Sequence, residues 1–333
     1  GDSAYCQPCV SPVWDTGLAC LALLEDGAEE NREELTKALD WLGELQLLDE
    51  PGDWRTDHPN LPGGGWAFQY ENDYYPDLDD TAVVAWAMHL ASDRDRFSER
   101  IRRAADWLRG MQSRNGGFAA FDSDNTHYAL NEIPFADHGA LLDPPTSDVS
   151  ARCLALMGQL GRNEDGDCLR RALAYLRAEQ EANGSWFGRW GTNYIYGTWS
   201  VLSALEHVSG ADTGDMVRRA ADWLQSVQHA DGGWGETNDS YLDSARSCGD
   251  DRSTAFQTAW AMLGLMAAGE GDSEAVRRGA EYLLSAQAAD GGWSDPEFTA
   301  PGFPRVFYLR YHGYSMFFPL WALARYRNHV NAR

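Results

Sequence analysis

Basic charge is scarce in this chain of 333 residues: 27 Lys and Arg stand against 51 Asp and Glu, a formal net charge of −24. So acidic a balance argues against a nucleic-acid partner, whose phosphates demand a basic face. It also leaves any adhesion to anionic lipid to apolar contact. An acidic surface of this kind serves solubility or salt tolerance. Long apolar runs are missing too. The longest, such as residues 81–88 and 316–324, fall short of the roughly 20 residues that a membrane span needs, so no transmembrane helix is expected. No signal-peptide pattern is present, and the start at Gly1 without an initiator Met reads as a fragment or a processed chain. Six cysteines scattered over this length form an intracellular pattern, not a disulfide framework.

Metal and cofactor signatures are absent as well. Cys6 and Cys9 have zinc-type spacing but no second pair or nearby His. Asp122-Ser123-Asp124-Asn125-Thr126 begins like a calcium loop and lacks its Gly and distal Glu. There is no Asp-Asp-x-x-Asp, no His-Glu-x-x-His and no Gly-x-Ser-x-Gly, and the eight His residues show no ligand spacing. Neither a metal nor a cofactor is expected.

Against these absences stands one pattern written five times: basic, small, two variable, aromatic, aliphatic, three variable, Gln, then a Gly-containing turn closed by an aromatic. Three copies are clean: Arg171…Gln180…Gly184-Ser185-Trp186, Arg219…Gln228…Gly232-Gly233-Trp234 and Arg278…Gln287…Gly291-Gly292-Trp293. Arg103…Gln112…Gly116-Gly117-Phe118 replaces the last Trp by Phe. The first copy, Lys37…Gln46…Gly52-Asp53-Trp54, is read with two extra residues before its Gly. The Gln is expected to bond the following turn, the Gly residues to allow the reversal, and the Trp to pack back on its helix. These residues are braces.

The repeated segments, roughly 31–47, 97–113, 165–181, 213–229 and 273–288, are amphipathic and predict outer helices with one solvated face. Between them lie six apolar segments of helical length: 13–24, 79–90, 148–160, 196–205, 254–267 and 314–326. Helices apolar on most sides are buried on most sides. Alternation of the two kinds predicts an all-α fold, an (α/α)6 barrel over residues 1–333 with one outer helix missing.

Three carboxylates open the second inner helix in Tyr74-Tyr75-Pro76-Asp77-Leu78-Asp79-Asp80-Thr81-Ala82. Capping explains part of this, since acids in a first turn gain roughly 0.3–1 kcal/mol each from the helix dipole. An inner helix, however, ends at the barrel mouth, and Trp66, Phe68, Tyr70, Tyr74 and Tyr75 crowd the adjoining loops. Carboxylates so close cannot all ionise, and a retained proton beside aromatic walls suits protonation of a weak base. Other aromatics gather at inner-helix ends and loops: Trp14, Phe121, Phe187, Trp190, Tyr194, Tyr196, Phe303, Phe307, Tyr308, Tyr311 and Tyr314. Singly each fits core packing. Together they supply π faces worth about 0.5–2 kcal/mol each to a cation.

The five repeats and Asp77-Leu78-Asp79-Asp80-Thr81-Ala82 resemble the bacterial squalene–hopene cyclases. Ser11-Pro12-Val13-Trp14-Asp15-Thr16-Gly17, Gly188-Arg189-Trp190-Gly191 and Asn193-Tyr194-Ile195-Tyr196-Gly197-Thr198 fit as well, and the match runs from about residue 11 to the C-terminus. The resemblance implies a class II terpene cyclase that protonates a terminal double bond of squalene and gives hopene and hopanol. By motif position Asp79 is the proton donor, with Asp77 and Asp80 tuning it. Arg152 and Asp148 are the basic residue and the Asp implied to assist the acid, and Arg would act as a fixed charge, not a relay. Trp14, Phe68, Phe121, Trp190, Tyr196, Phe303, Phe307, Tyr311 and Tyr314 are the implied cavity aromatics. The resemblance further implies a monotopic protein at the cytoplasmic face of the membrane, a homodimer when complete. It also implies a second barrel domain, expected to be absent from this chain, which puts activity of the chain alone in question.

Three other readings stay open on the residues. A protein prenyltransferase β-like barrel shares the Gly-Gly-aromatic turns but needs a zinc site with Asp-x-Cys, which the sequence does not contain. A glycoside hydrolase would use paired carboxylates in the same barrel, against the aromatic excess. A non-catalytic barrel for binding or assembly needs neither.

Overall fold

The computed structural model describes residues 10–133, 141–208, 212–242 and 252–333. Six apolar helices form an inner ring: α1 (Pro12–Asp26), α4 (Leu78–Leu90), α6 (Ser147–Leu160), α8 (Tyr194–Leu205), α10 (Ala255–Ala267) and α12 (Tyr314–Asn331). Each packs on the next, and α12 returns to α1, so the ring is closed. The reason is compositional. All of α8 is buried, as is α10 apart from its last residue. Helices with no polar face satisfy burial only by packing on all sides.

Five amphipathic helices form the outer layer: α2 (Arg32–Glu44), α5 (Ser98–Gly110), α7 (Gly166–Glu179), α9 (Gly214–Ser226) and α11 (Glu274–Ala286). In α5, Ile101, Ala104, Ala105, Trp107 and Leu108 face inward, while Arg102 pairs with Glu99 and Asp106 on the solvated side. The six inner and five outer helices are those expected. Among the described residues no outer helix packs between α12 and α1. There the last turns of α12 bond to the end of α1, Arg327 Nη1 at 2.9 Å from Asp26 Oδ1 and Asn328 Nδ2 at 2.8 Å from the Glu25 carbonyl. Inner helix α12 runs through Pro319 without a break.

The repeat acts as a two-way clamp. Gln112 Nε2 donates to the Gly116 carbonyl in its own turn (2.8 Å) and to the Cys168 carbonyl in the first turn of the next outer helix (2.9 Å). Gln180 and Gln228 do the same with Gly184 and Met216, and with Gly232 and Ala275. Trp186, Trp234 and Trp293 each donate Nε1 to a carbonyl of the preceding outer helix, at 2.7–2.8 Å. The basic residue closes the loop between repeats: Arg219 and Arg278 donate back to carbonyls of the preceding turn. Gly116, Gly184, Gly232 and Gly291 have φ between +88° and +101°, where a Cβ would be strained.

One expectation is corrected. The first repeat does not close on Gly52-Asp53-Trp54. Gln46 Nε2 bonds the Gly64 carbonyl, 18 residues on, and Trp66 Nε1 bonds the Leu42 carbonyl at 2.6 Å. The true turn is Gly64-Gly65-Trp66, separated from Gln46 by an insertion that holds the short helix α3 (Trp54–Asp57). Trp54 instead packs edge-on against Trp107, with ring centroids 5.8 Å apart. The all-α class holds, with little strand among the described residues. Two small antiparallel hairpins stand at the barrel mouth: β1 (Trp66–Ala67) with β2 (Pro76–Asp77), and β3 (Ala300–Phe303) with β4 (Phe307–Leu309). Cys6, Cys9 and Cys248 lie outside the described residues, while Cys20, Cys153 and Cys168 are free and buried.

Candidate active site

The first turn of α4 carries the acid cluster. Asp77 ends β2 and caps the helix, its Oδ1 accepting from Asp79 N–H (2.7 Å) and Asp80 N–H (3.3 Å). Strand pairing of Trp66 with Asp77, and the Thr81 hydroxyl bonded to both Trp66 N–H and the Asp77 carbonyl, fix where the helix begins. All three carboxylates are buried and all line one cavity of about 210 Å³.

One cation faces them. Arg152, from α6, sets its Nε 2.6 Å from Asp79 Oδ1 as an ion pair, with both side chains buried. Its guanidinium also bonds Tyr196 Oη and Ser200 Oγ from α8. It lies over the rings of Trp14, Tyr196 and Trp199 at 5.0–5.4 Å. Burial lowers the affinity of Arg152 for its proton, but Asp79 and the neighbouring groups more than reverse this, so it stays charged.

Burial pushes Asp79 up to about 6 against the opposing pull of Arg152. Asp77 and Asp80 are raised well above the ordinary carboxylate value, first by burial and then by their acidic neighbours. For Asp80 those neighbours include Asp15 of α1, and its Oδ1 has no hydrogen-bond partner. The cluster therefore holds protons at a pH where free carboxylates have lost them.

The remaining wall is aromatic. Trp14, Phe68, Phe121, Trp190, Phe303, Phe307, Tyr311 and Tyr314 line the cavity with the three acids. Trp14 Nε1 donates to Tyr314 Oη at 2.7 Å and so ties α1 to α12 at the wall. Phe68 meets Tyr311 edge-on, Phe121 meets Trp190 edge-on, and Tyr311 stacks on Tyr314. Phe303 and Phe307 reach the cavity from the β3–β4 hairpin. A larger cavity, about 400 Å³, lies at the opposite ends of the inner helices, lined by Trp86, Gln159, His207 and Trp321 among others. It has no cluster of buried carboxylates. Among the described residues no group of His, Cys, Asp and Glu could hold a metal ion.

Two of the implied site residues stand elsewhere. Asp148 does not reach the acid: it is fully buried, and its carboxylate accepts from the N–H groups of Val149, Arg189 (2.9 Å) and Trp190 (2.7 Å). It holds the loop that carries Trp190 and acts on Asp79 only through its charge, which raises the Asp79 pKa. Tyr196 is also fully buried behind the wall, where its hydroxyl serves Arg152. Sequence reasoning missed Gln69 and Leu309 on the wall, and Trp199 and Ser200 around Arg152. Helical spacing could have found the last two, which lie three and four residues after Tyr196 on one face of α8. Asp143 was also missed. It accepts from the N–H groups of Ala120, Phe121 and Asp122 and so places Phe121.

Comparison with known proteins gives the family. The family model for the squalene-hopene cyclase C-terminal domain matches residues 10–328. The chain is 55% identical over 328 residues to the squalene–hopene cyclase of Zymomonas mobilis, covering 97% of this chain and 50% of that protein. It is 51% identical over 329 residues to the enzyme of that name from Alicyclobacillus acidocaldarius, covering 98% and 52%. The dammaradiene synthase of Dryopteris crassirhizoma is 43% identical over 355 residues, covering 99% and 52%. This chain thus spans about half the length of the curated relatives it matches. Among solved structures, the type II terpene cyclase MstE from Scytonema superposes with a TM-score of 0.64 over 96% of this chain and 89% of that one, at 19% identity, a likeness of fold. On this match over nearly its whole length, the chain belongs to the squalene–hopene cyclase family and corresponds to its C-terminal domain.

Proposed function

We propose that this chain is the acid-bearing part of a squalene cyclase that makes hopene and hopanol by protonation-initiated polycyclisation. The observation that carries this is Asp79: a buried carboxyl raised to about 6, paired with Arg152, open to a cavity with aromatic walls. Asp79 gives its proton to a terminal alkene carbon of squalene. The conjugate carboxylate forms beside a cation that cannot itself supply or take the proton, so Arg152 strengthens the acid as a fixed charge. Asp77 and Asp80 retain protons and keep further negative charge away from Asp79. Each ring-closing step moves the positive charge along the chain past Trp14, Phe68, Phe121 and Trp190 or their neighbours. Loss of a proton from the last cation gives hopene, and capture of water followed by proton loss gives hopanol. Either route returns one proton for the one consumed.

The cavity of about 210 Å³ lies below the roughly 300–1,000 Å³ of common ligand pockets. The segment that makes up the other half of the relatives completes it in this proposal. No described helix is long and apolar enough to cross a membrane. Contact with the cytoplasmic membrane surface is part of the proposal, supported by exposed Tyr70, Tyr74, Tyr128 and Leu141. So is a homodimer, which rests on the family resemblance. The test joins this chain to that other half and supplies squalene. Asp79→Asn is expected to lower pentacyclic product by about 10²–10⁴-fold, the range of a lost general acid, with the fold intact. Undiminished product would overturn the assignment.

A further inference from the structure

Between Phe187 and α8 the chain runs through Gly188-Arg189-Trp190-Gly191-Thr192-Asn193 without regular structure. Two things leave this stretch for the active site. Trp190 joins the cavity wall, and the first turn of α8 brings Tyr196, with Ser200 one turn on, to Arg152. The loop is nonetheless pinned from several sides. Asp148 takes the N–H groups of Arg189 and Trp190. Tyr241 Oη bridges the Gly188 and Gly191 carbonyls at 2.8 and 2.9 Å. Thr192 N–H bonds the Thr299 carbonyl, and Gln257 Nε2 donates to the Thr192 carbonyl.

The start of α8 itself has an unusual cap. Asn193 occupies the N-cap position but its side chain does not cap. Its Oδ1 accepts from Gly188 N–H and its Nδ2 donates to Ser240. The helix N–H groups are met instead by Glu236, from the turn of another repeat. Glu236 Oε1 accepts from Asn193 N–H at 3.0 Å and from Ile195 N–H at 2.7 Å, with the whole side chain enclosed. Gln257 fixes Glu236 in turn, bonding both its N–H and its carbonyl.

We propose that Glu236 is a positioning residue for the acid: it locks the first turn of α8, and α8 then holds Tyr196 and Ser200 against Arg152, the cation on Asp79. The proposal rests on the reading of Asp79 as proton donor. A carboxylate suits the task because it only accepts, and its charge is favoured at a helix N-terminus. A glutamine keeps one acceptor oxygen but puts an NH₂ donor in place of the other and brings no charge to the helix N-terminus. Burial pushes Glu236 up to about 7, while the N–H groups of Ile195, Asn193 and Tyr194 pull the other way, so the helix N-terminus offsets part of the cost of burying the charge.

The test follows the carboxyl stretch of Asp79 by infrared titration of the chain, assigned by its loss in Asp79→Asn. In Glu236→Gln, Arg152 loses its fixed supports, and the acid constant of Asp79 is expected to fall about tenfold, one unit of pKa. Gln287→Ala, which weakens the brace of another turn by removing its bond to the Gly291 carbonyl, should leave that titration where it is. An Asp79 titration in Glu236→Gln no different from that in Gln287→Ala overturns the proposal. Should Glu236→Gln not fold, Tyr196→Phe with Ser200→Ala cuts the same link at its far end, and an unmoved Asp79 there overturns it equally. No turnover enters this readout. Failure of the shift rejects the coupling, whereas undiminished product from Asp79→Asn rejects the assigned function.

Discussion

The outer turns and the acid end of the barrel use the same polar chemistry to opposite ends. In the turn after α9, the Gln228 amide has both its partners, Trp234 Nε1 has the Leu224 carbonyl, and Arg278 has the carbonyls of His229 and Ala230. At the acid end three carboxylates share one turn, Asp80 Oδ1 has no partner, and one guanidinium serves the group. Satisfied polar groups stabilise modestly, whereas buried and under-satisfied ones are costly. The braces therefore hold the barrel together, and the acid cluster draws on the stability they provide.

Four substitutions sharpen that contrast. The largest effect is expected from Arg152→Met, which leaves Asp79 buried without its cation. Breaking a buried pair costs about 3–5 kcal/mol when the remaining group stays charged. Asp79 escapes part of this by keeping its proton, so the loss of Tm should be small at pH 5 and large at pH 8. Equal loss at both would show that the pair matters for packing and not for charge.

Asp80→Asn should act in the opposite direction. Asp80 has its folded-state pKa raised above the unfolded value. Its contribution is thus fully present below about pH 4 and is lost as pH rises toward the folded value, at about 1.4 kcal/mol per unit. An amide has no such loss, so the variant should melt higher than the parent at pH 8 and nearly the same at pH 4. A lower Tm at pH 8 would remove the claim that this end is under stress.

Gln228→Ala belongs to the other side of the comparison. It takes two hydrogen bonds from half-buried carbonyls and should destabilise by about 2 kcal/mol at any pH, read by denaturant unfolding. Trp234→Phe is the mildest. It loses only the Nε1 bond, and Phe118 already fills the equivalent place in another turn, so about 1 kcal/mol is expected. A loss several times larger would mean that the indole packs in a way Phe118 does not reproduce.

Much of this was legible in the chain because period and composition report burial directly. The six apolar segments became the inner ring and the five amphipathic ones the outer layer, since a helix with no polar face has one kind of place to go. Asp77 as cap and Asp79 and Asp80 in the first turn were equally readable, since they are neighbours along the chain. The first repeat was misread because Trp54 stands near the expected spacing while the true partner, Trp66, follows an insertion. Hydrogen-bond geometry tells them apart, and residue type does not.

The sequence by itself determined the helical layers, the place of the acids at an inner-helix end, and the family. The tertiary structure alone decided which charges meet. Arg152 reaches Asp79 across 73 residues of chain, Asp148 turns away to hold Arg189 and Trp190, and Glu236 caps a helix 41 residues before it in sequence. The physical reason is range. Helix propensity and capping act within a few residues and leave a mark on local order, whereas an ion pair in the barrel depends on how the inner helices close upon one another, which only packing supplies.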